Sequence, residues 1–126
     1  MSPAVPPIPG IEETGYLTSD TVWALRELPR RLLVLGGGPI GCELTQAFAR
    51  LGSGLGNTVT LMEMLPRLMV KEDVEVSAMV QKKFEAEGVT VLTGHKAKAV
   101  VQEGGEKFLV VERDGKESRI PFDEIL

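Results

Sequence analysis

The sequence predicts an α/β fold: a doubly wound parallel sheet carrying a three-stranded antiparallel β-meander. Three observations predict it. Short apolar runs alternate with amphipathic helical stretches between residues 31 and 92, the order that parallel crossover connections require. A cluster of glycines occupies the first junction between a run and a helical stretch. Past residue 95, three short strand-like runs are separated by glycine-containing turns, as a meander needs.

The first ten residues hold four of the eight prolines, so they read as an extended connector rather than a helix or central strand. A helix is expected from Ser19-Asp20 through Val22, Leu25 and Leu28, closed by Pro29, because Ser and Asp accept from free amides at a helix start. Arg31-Leu32-Leu33-Val34-Leu35 is nearly unbroken in its apolarity, which fits a strand buried on both faces. From Pro39, the residues Ile40, Leu44, Ala47, Phe48 and Leu51 recur every three or four positions and define one apolar helical face. A glycine-rich loop over residues 52–57 leads to a second strand, Thr58 to Glu63.

Glu72-Asp73 opens the next helix with acidic groups at its positive end. Val76, Val80 and Phe84 form its stripe, and Gly88 stops it. Val89 to Leu92 reads as a third strand. Ala99 to Gln102, Phe108 to Glu112 and Ser118 to Phe122 are the meander strands, turned at Gly104-Gly105 and Asp114-Gly115. Asp123-Glu124-Ile125-Leu126 resembles the entrance to another buried strand.

At 126 residues the chain suits one domain, large enough to bury a core without covalent staples. A net charge of −4 gives no general attraction to nucleic acid or anionic lipid. One cysteine rules out an internal disulfide and a cysteine-based zinc cluster. No signal-peptide pattern or membrane-length apolar run is present, so the expected setting is reducing and cytoplasmic.

The chemistry concentrates at Gly36-Gly37-Gly38-Pro39-Ile40-Gly41, which matches G-x-G-x-x-G. Gly36 allows a tight turn out of the strand, Gly38 lets a pyrophosphate approach the backbone, and Gly41 lets the helix pack closely. The helix beginning at Pro39 would aim free amides and its positive dipole end at the phosphates. Glu63 ends the next strand 22 residues past Gly41, near the spacing of a ribose-binding carboxylate. That carboxylate would accept ribose hydroxyls and repel a 2′-phosphate, so NAD is expected over NADP. This is a Rossmann-like arrangement.

The segment Leu33 to Leu44, Leu-Val-Leu-Gly-Gly-Gly-Pro-Ile-Gly-Cys-Glu-Leu, closely resembles the NAD-binding domain of pyridine nucleotide–disulfide oxidoreductases. That family includes dihydrolipoamide dehydrogenase and mercuric reductase. The resemblance extends to the Pro-Pro-Ile-Pro-Gly connector, Thr18-Ser19-Asp20, Glu63 with Pro66-Arg67, and the meander. It implies an NAD(H)-binding domain inserted in an FAD domain, delivering hydride from NADH to flavin in a homodimeric full-length enzyme. Residues 1–17 would then be the connector from the FAD domain and 18–126 the NAD domain, ending before its last parallel strand is complete. The FAD motif, paired redox cysteines and dimerisation domain are not in this sequence, so the domain alone is expected to be non-catalytic.

The resemblance also implies that Glu43 serves the nicotinamide end, that Lys96 makes an adenine-side contact, and that Pro39 and Ile40 belong to the cofactor-binding turn. Pro39 and Cys42 lean towards the mercuric reductase side. Cys42, next to Gly41, is expected to pack against the sheet as a small apolar residue, and His95 to be a loop residue rather than a catalytic base. The loop at residues 52–57 is longer than the family's pattern. Two alternatives stand beside this reading: a stand-alone NAD(H)-sensing module, and a flavin-free short-chain dehydrogenase. The second is disfavoured because Tyr16, the sole tyrosine, precedes the glycine motif and supplies no Tyr-x-x-x-Lys pair.

Overall fold

A computed structural model describes residues 8–18, 21–22, 28–52, 54–69 and 71–126. The expected helix between Ser19 and Pro29 lies largely outside these residues, Leu25 included. Its entrance is described in part: the Thr21 amide donates to Thr18 Oγ1 at 3.2 Å, and Val22 is buried.

The parallel sheet is built from β1 (Arg31–Leu35), β2 (Thr58–Glu63), β3 (Thr90–Thr93) and β7 (Glu124–Ile125), in the order β3-β2-β1-β7. The expected strand entrance at the end of the sequence is β7, and it pairs parallel to β1 through Leu32↔Glu124 and Leu33↔Ile125. The chain runs outward from β1 to β3 and then returns to the opposite side of β1. This reversal opens a crevice beyond the carboxyl ends of the central strands.

Strand alternation sends side chains to two cores. Leu32, Val34, Val59 and Leu61 face α2 (Pro39–Leu51) and α3 (Val74–Ala86). Leu33, Met62 and Ile125 face the meander. The meander comprises β4 (Lys96–Glu103), β5 (Glu106–Arg113) and β6 (Lys116–Phe122), and it presents Val100, Leu109, Val111 and Phe122 to that second core. Each meander strand extends beyond its expected span, because the tight glycine turns let pairing continue to Glu103↔Glu106 and Arg113↔Lys116. Likewise β3 is displaced by one residue, with Val89 buried just before it.

Two helical details differ from the sequence reading. The core face of α2 is Cys42, Leu44, Thr45 and Phe48, whereas Ile40 and Leu51 are 64% and 55% exposed. Those two lie about 100° around the helix from the centre of that buried face, at 3.6 residues per turn. Within the expected connector, a single turn α1 (Ile11–Thr14) forms, and Ile11 is buried in the meander-side core. Preceding it, the Pro9 carbonyl accepts from Val100 of β4 at 2.8 Å, so this segment shields one edge of the meander.

The helix boundaries follow the expected chemistry. Asp73 caps α3 by accepting from the Val76 amide at 3.1 Å, and Gly88 past its end takes φ of +88°. At the opposite end of the sheet from the crevice, Arg31 and Asp123 clip β1 to the β6–β7 junction. The Arg31 amide donates to Asp123 Oδ2 at 2.9 Å, the Asp123 amide to the Arg31 carbonyl at 2.9 Å, and Arg31 Nη2 to Asp123 Oδ1 at 2.9 Å. Arg31 also reaches Glu106 at 3.3 Å. The arginine holds the Asp123 carboxyl below the usual carboxylate range.

Candidate functional site

The glycine turn owes its form to backbone constraints that differ at each position. Gly36 has φ of +106°, a region that disfavours side chains. A Cβ on Gly41 would fall onto the Gly36 carbonyl oxygen, so its absence lets α2 start directly against the turn. Gly38 is different: its φ of −79° suits any residue, and among the described residues nothing lies within 4 Å of an added Cβ. Neither conformation nor packing among the described residues requires glycine there. The space beside it is open.

Helix α2 begins at Pro39 with Gly38 as its N-cap. The Cys42 amide donates to the Gly38 carbonyl at 3.0 Å. Among the described residues, the amides of Gly38, Ile40 and Gly41 make no hydrogen bond; proline contributes none. These are the unpaired donors that a helix start offers to an anion.

They line a cleft of about 870 Å³ at the carboxyl ends of β1 and β2. Of the candidate residues, Gly36, Gly38, Pro39, Ile40, Gly41, Glu63 and Lys96 meet there. Glu43 does not line it and lies exposed on α2. Lys96 is the cleft's only lysine or arginine among the described residues.

Glu63 ends β2 and is half-buried. Its Oε1 accepts from the Gly37 amide and its Oε2 from the Leu65 amide, each at 2.8 Å. Two acceptances leave further lone-pair sites on the carboxylate. His95 also lines the cleft; its Nδ1 sits 2.8 Å from the Thr93 carbonyl, so it is tied down as a loop residue. Cys42 is buried as expected, and its thiol points to the Gly37 carbonyl at 3.5 Å. Burial, aided by the charge of Glu63, pushes that thiol up to about 11.

Sequence reading did not find the apolar wall of the cleft. Ile11, Tyr16, Leu17 and Leu126 supply it, from segments outside any periodic element. The Leu17 amide donates to the Ile125 carbonyl at 2.6 Å, which brings the wall to the end of β7. It also passed over Gly37, the variable position of the motif, which is buried. Its carbonyl accepts from Met69 at 2.7 Å, and Leu68 packs over it.

Strand order, glycine turn and crevice together define an α/β protein with a helix start of unpaired amides at its switch point. A family model described as pyridine nucleotide-disulphide oxidoreductase matches residues 1–126. The chain belongs to that family. It is 39% identical over 125 residues to the mercuric reductase of Staphylococcus aureus, covering 99% of this chain and 22% of that protein. It is 33% identical over 120 residues to the dihydrolipoyl dehydrogenase of Mycobacterium leprae (strain TN), covering 94% and 25%. Among solved structures, the HOCl-induced flavoprotein disulfide reductase RclA of Escherichia coli superposes with a TM-score of 0.83 at 27% identity, over 99% of this chain and 27% of that one. The chain thus spans about a quarter or less of the length of these relatives. No helix among the described residues is long and apolar enough to cross a membrane.

Proposed function

We propose that this chain binds NAD(H) and acts as the pyridine nucleotide domain of a larger flavin-dependent oxidoreductase. The observation that carries the reading is Gly38: a glycine that neither its backbone angle nor, among the described residues, any neighbouring atom demands, carrying one of three unpaired amides. A side chain there would occupy the space a diphosphate needs to reach those amides. Gly36 and Gly41 shape the turn, Pro39 and Ile40 begin the helix, and Glu63 accepts the adenosine ribose hydroxyls. Lys96, which also lines the cleft, serves the adenine side.

In the longer protein, residues 1–17 connect to an FAD domain and 18–126 form the nucleotide domain. Glu43, exposed on α2, is free to meet both the nicotinamide end and residues of that second domain. Bound in this way, the coenzyme would supply hydride to a flavin held elsewhere in the longer protein. This chain contributes binding and orientation; acting alone it turns nothing over, since no flavin is set against the nicotinamide. The full-length protein is a homodimer through a domain beyond this sequence.

Calorimetric titration with NADH and NADPH tests the assignment. NADH is expected to bind more tightly, because Glu63 repels a 2′-phosphate, and Glu63→Arg is expected to reverse the preference. Tighter binding of NADPH to the unmodified chain would refute the role given to Glu63. No binding of either would refute the cofactor assignment.

A further inference from the structure

We propose that Glu63 is a positioning residue for the glycine turn as well as a ribose acceptor, a proposal that rests on the nucleotide reading of the cleft. The carboxylate spans two segments that are not adjacent in sequence. Oε1 takes the Gly37 amide, between β1 and α2, and Oε2 takes the Leu65 amide, in the loop that follows β2. Bonds from amides to a carboxylate are charge-assisted and stronger than neutral ones.

The same loop returns to hold Gly37 from its other side. Met69 donates to the Gly37 carbonyl at 2.7 Å, and Leu68 is fully buried, with Cδ2 only 2.5 Å from where a Gly37 Cβ would stand. Peptide planarity makes these bonds directional. The Gly37 carbonyl and the Gly38 amide share one plane, so Met69 sets where the unpaired Gly38 N–H points. The Gly36 carbonyl, against which Gly41 packs, shares a plane with the Gly37 amide that Glu63 holds. Of the two ties, only that of Glu63 comes from a side chain and can be removed by substitution.

Positioning and ribose acceptance do not compete. A carboxylate offers about four lone-pair sites; two amides use two, and two remain for a pair of hydroxyls. The turn is therefore held in its anion-receiving form before ligand arrives, and it need not be released when ligand binds.

Inorganic pyrophosphate, which has no ribose, separates the two roles. Glu63→Gln and Glu63→Ala remove the same charge, but only glutamine keeps a side-chain acceptor for one of the amides. Calorimetry is expected to show Glu63→Ala binding pyrophosphate about fivefold more weakly than Glu63→Gln, the effect of one ordinary hydrogen bond. Amide hydrogen exchange at Gly37 is expected to be at least tenfold faster in Glu63→Ala, with Leu33 and Leu61 still protected. Equal pyrophosphate affinities together with unchanged Gly37 exchange would overturn the positioning role and leave the ribose role standing.

If the unmodified chain binds neither pyrophosphate nor NADH, the nucleotide reading fails, and exchange at Gly37 still decides the positioning role. If Glu63→Ala loses protection throughout the strands, the comparison passes to Glu63→Gln against the unmodified chain. Faster exchange at Gly37 or Leu65 then supports the proposal, and no change at either overturns it.

Discussion

Substituting alanine separately at Gly38 and Gly41 should divide what the turn needs for folding from what it needs for ligand. At Gly38 the backbone angles are ordinary and, among the described residues, an added Cβ meets nothing within 4 Å. Alanine at compatible angles gains ~0.4–1 kcal/mol by restricting the unfolded chain, offset by its weaker performance as a helix N-cap. The net stability change is therefore expected within about 0.5 kcal/mol of zero. At Gly41 the Cβ would strike the Gly36 carbonyl, whose carbon lies 3.1 Å away. Backbone cannot rotate aside, so α2 must move off the turn.

Overpacking of this kind costs ~1–3 kcal/mol, less a part returned by alanine's helix propensity. For a domain of this length, each kcal/mol is worth about 4 °C in Tm. Thermal melts should place Gly38→Ala within about 2 °C of the unmodified chain and Gly41→Ala about 4–8 °C below it. Calorimetry with NADH should show Gly38→Ala binding at least tenfold more weakly. A Gly38→Ala variant that melts as low as Gly41→Ala, or one that binds NADH undiminished, would refute the reasoning.

Three further outcomes follow from the packing. The arginine-paired carboxyl of Asp123 sits below its unfolded value, so its stabilisation is full above the unfolded pKa and lost as pH falls through the lower folded one. Asp123→Asn should therefore cost about 1 kcal/mol at pH 7, and chemical melts should show the difference from the unmodified chain shrinking below about pH 4. Thr45 is wholly buried on α2, and its hydroxyl has no hydrogen-bond partner among the described residues. Thr45→Val keeps the shape and should raise stability in urea melts by about 1 kcal/mol. With its thiol held near 11 by burial, Cys42 should react with a disulfide reagent at pH 8 at least tenfold more slowly folded than unfolded, on the order of the lost thiolate fraction.

The strands of the parallel sheet were legible because burial on both faces leaves no room for polar residues, as in Leu32-Leu33-Val34. The glycine turn was legible because the backbone excludes a side chain at Gly36 and Gly41, and the motif's fixed spacing then includes Gly38. The face of α2 was less so. Spacing alone admits Ile40 and Leu51, and only contact with the sheet shows that the centre of the stripe runs through Thr45, a polar residue. The anchoring of Gly37 by Glu63 and Met69 joins positions 26 residues or more apart, and no local pattern encodes it. Nor does any pattern encode the wall formed by Tyr16, Leu17 and Leu126, since these residues come together only when β7 pairs with β1.

The central claim is that the unpaired amides at the start of α2 receive the diphosphate of a nicotinamide coenzyme. Amide NMR of the 126-residue chain titrated with NADH measures this directly. The largest shifts are expected at Gly38, Ile40 and Gly41, with smaller ones at Glu63 and Lys96. Shifts confined to the meander's outer strands, or none at these amides when binding is saturated, would contradict it.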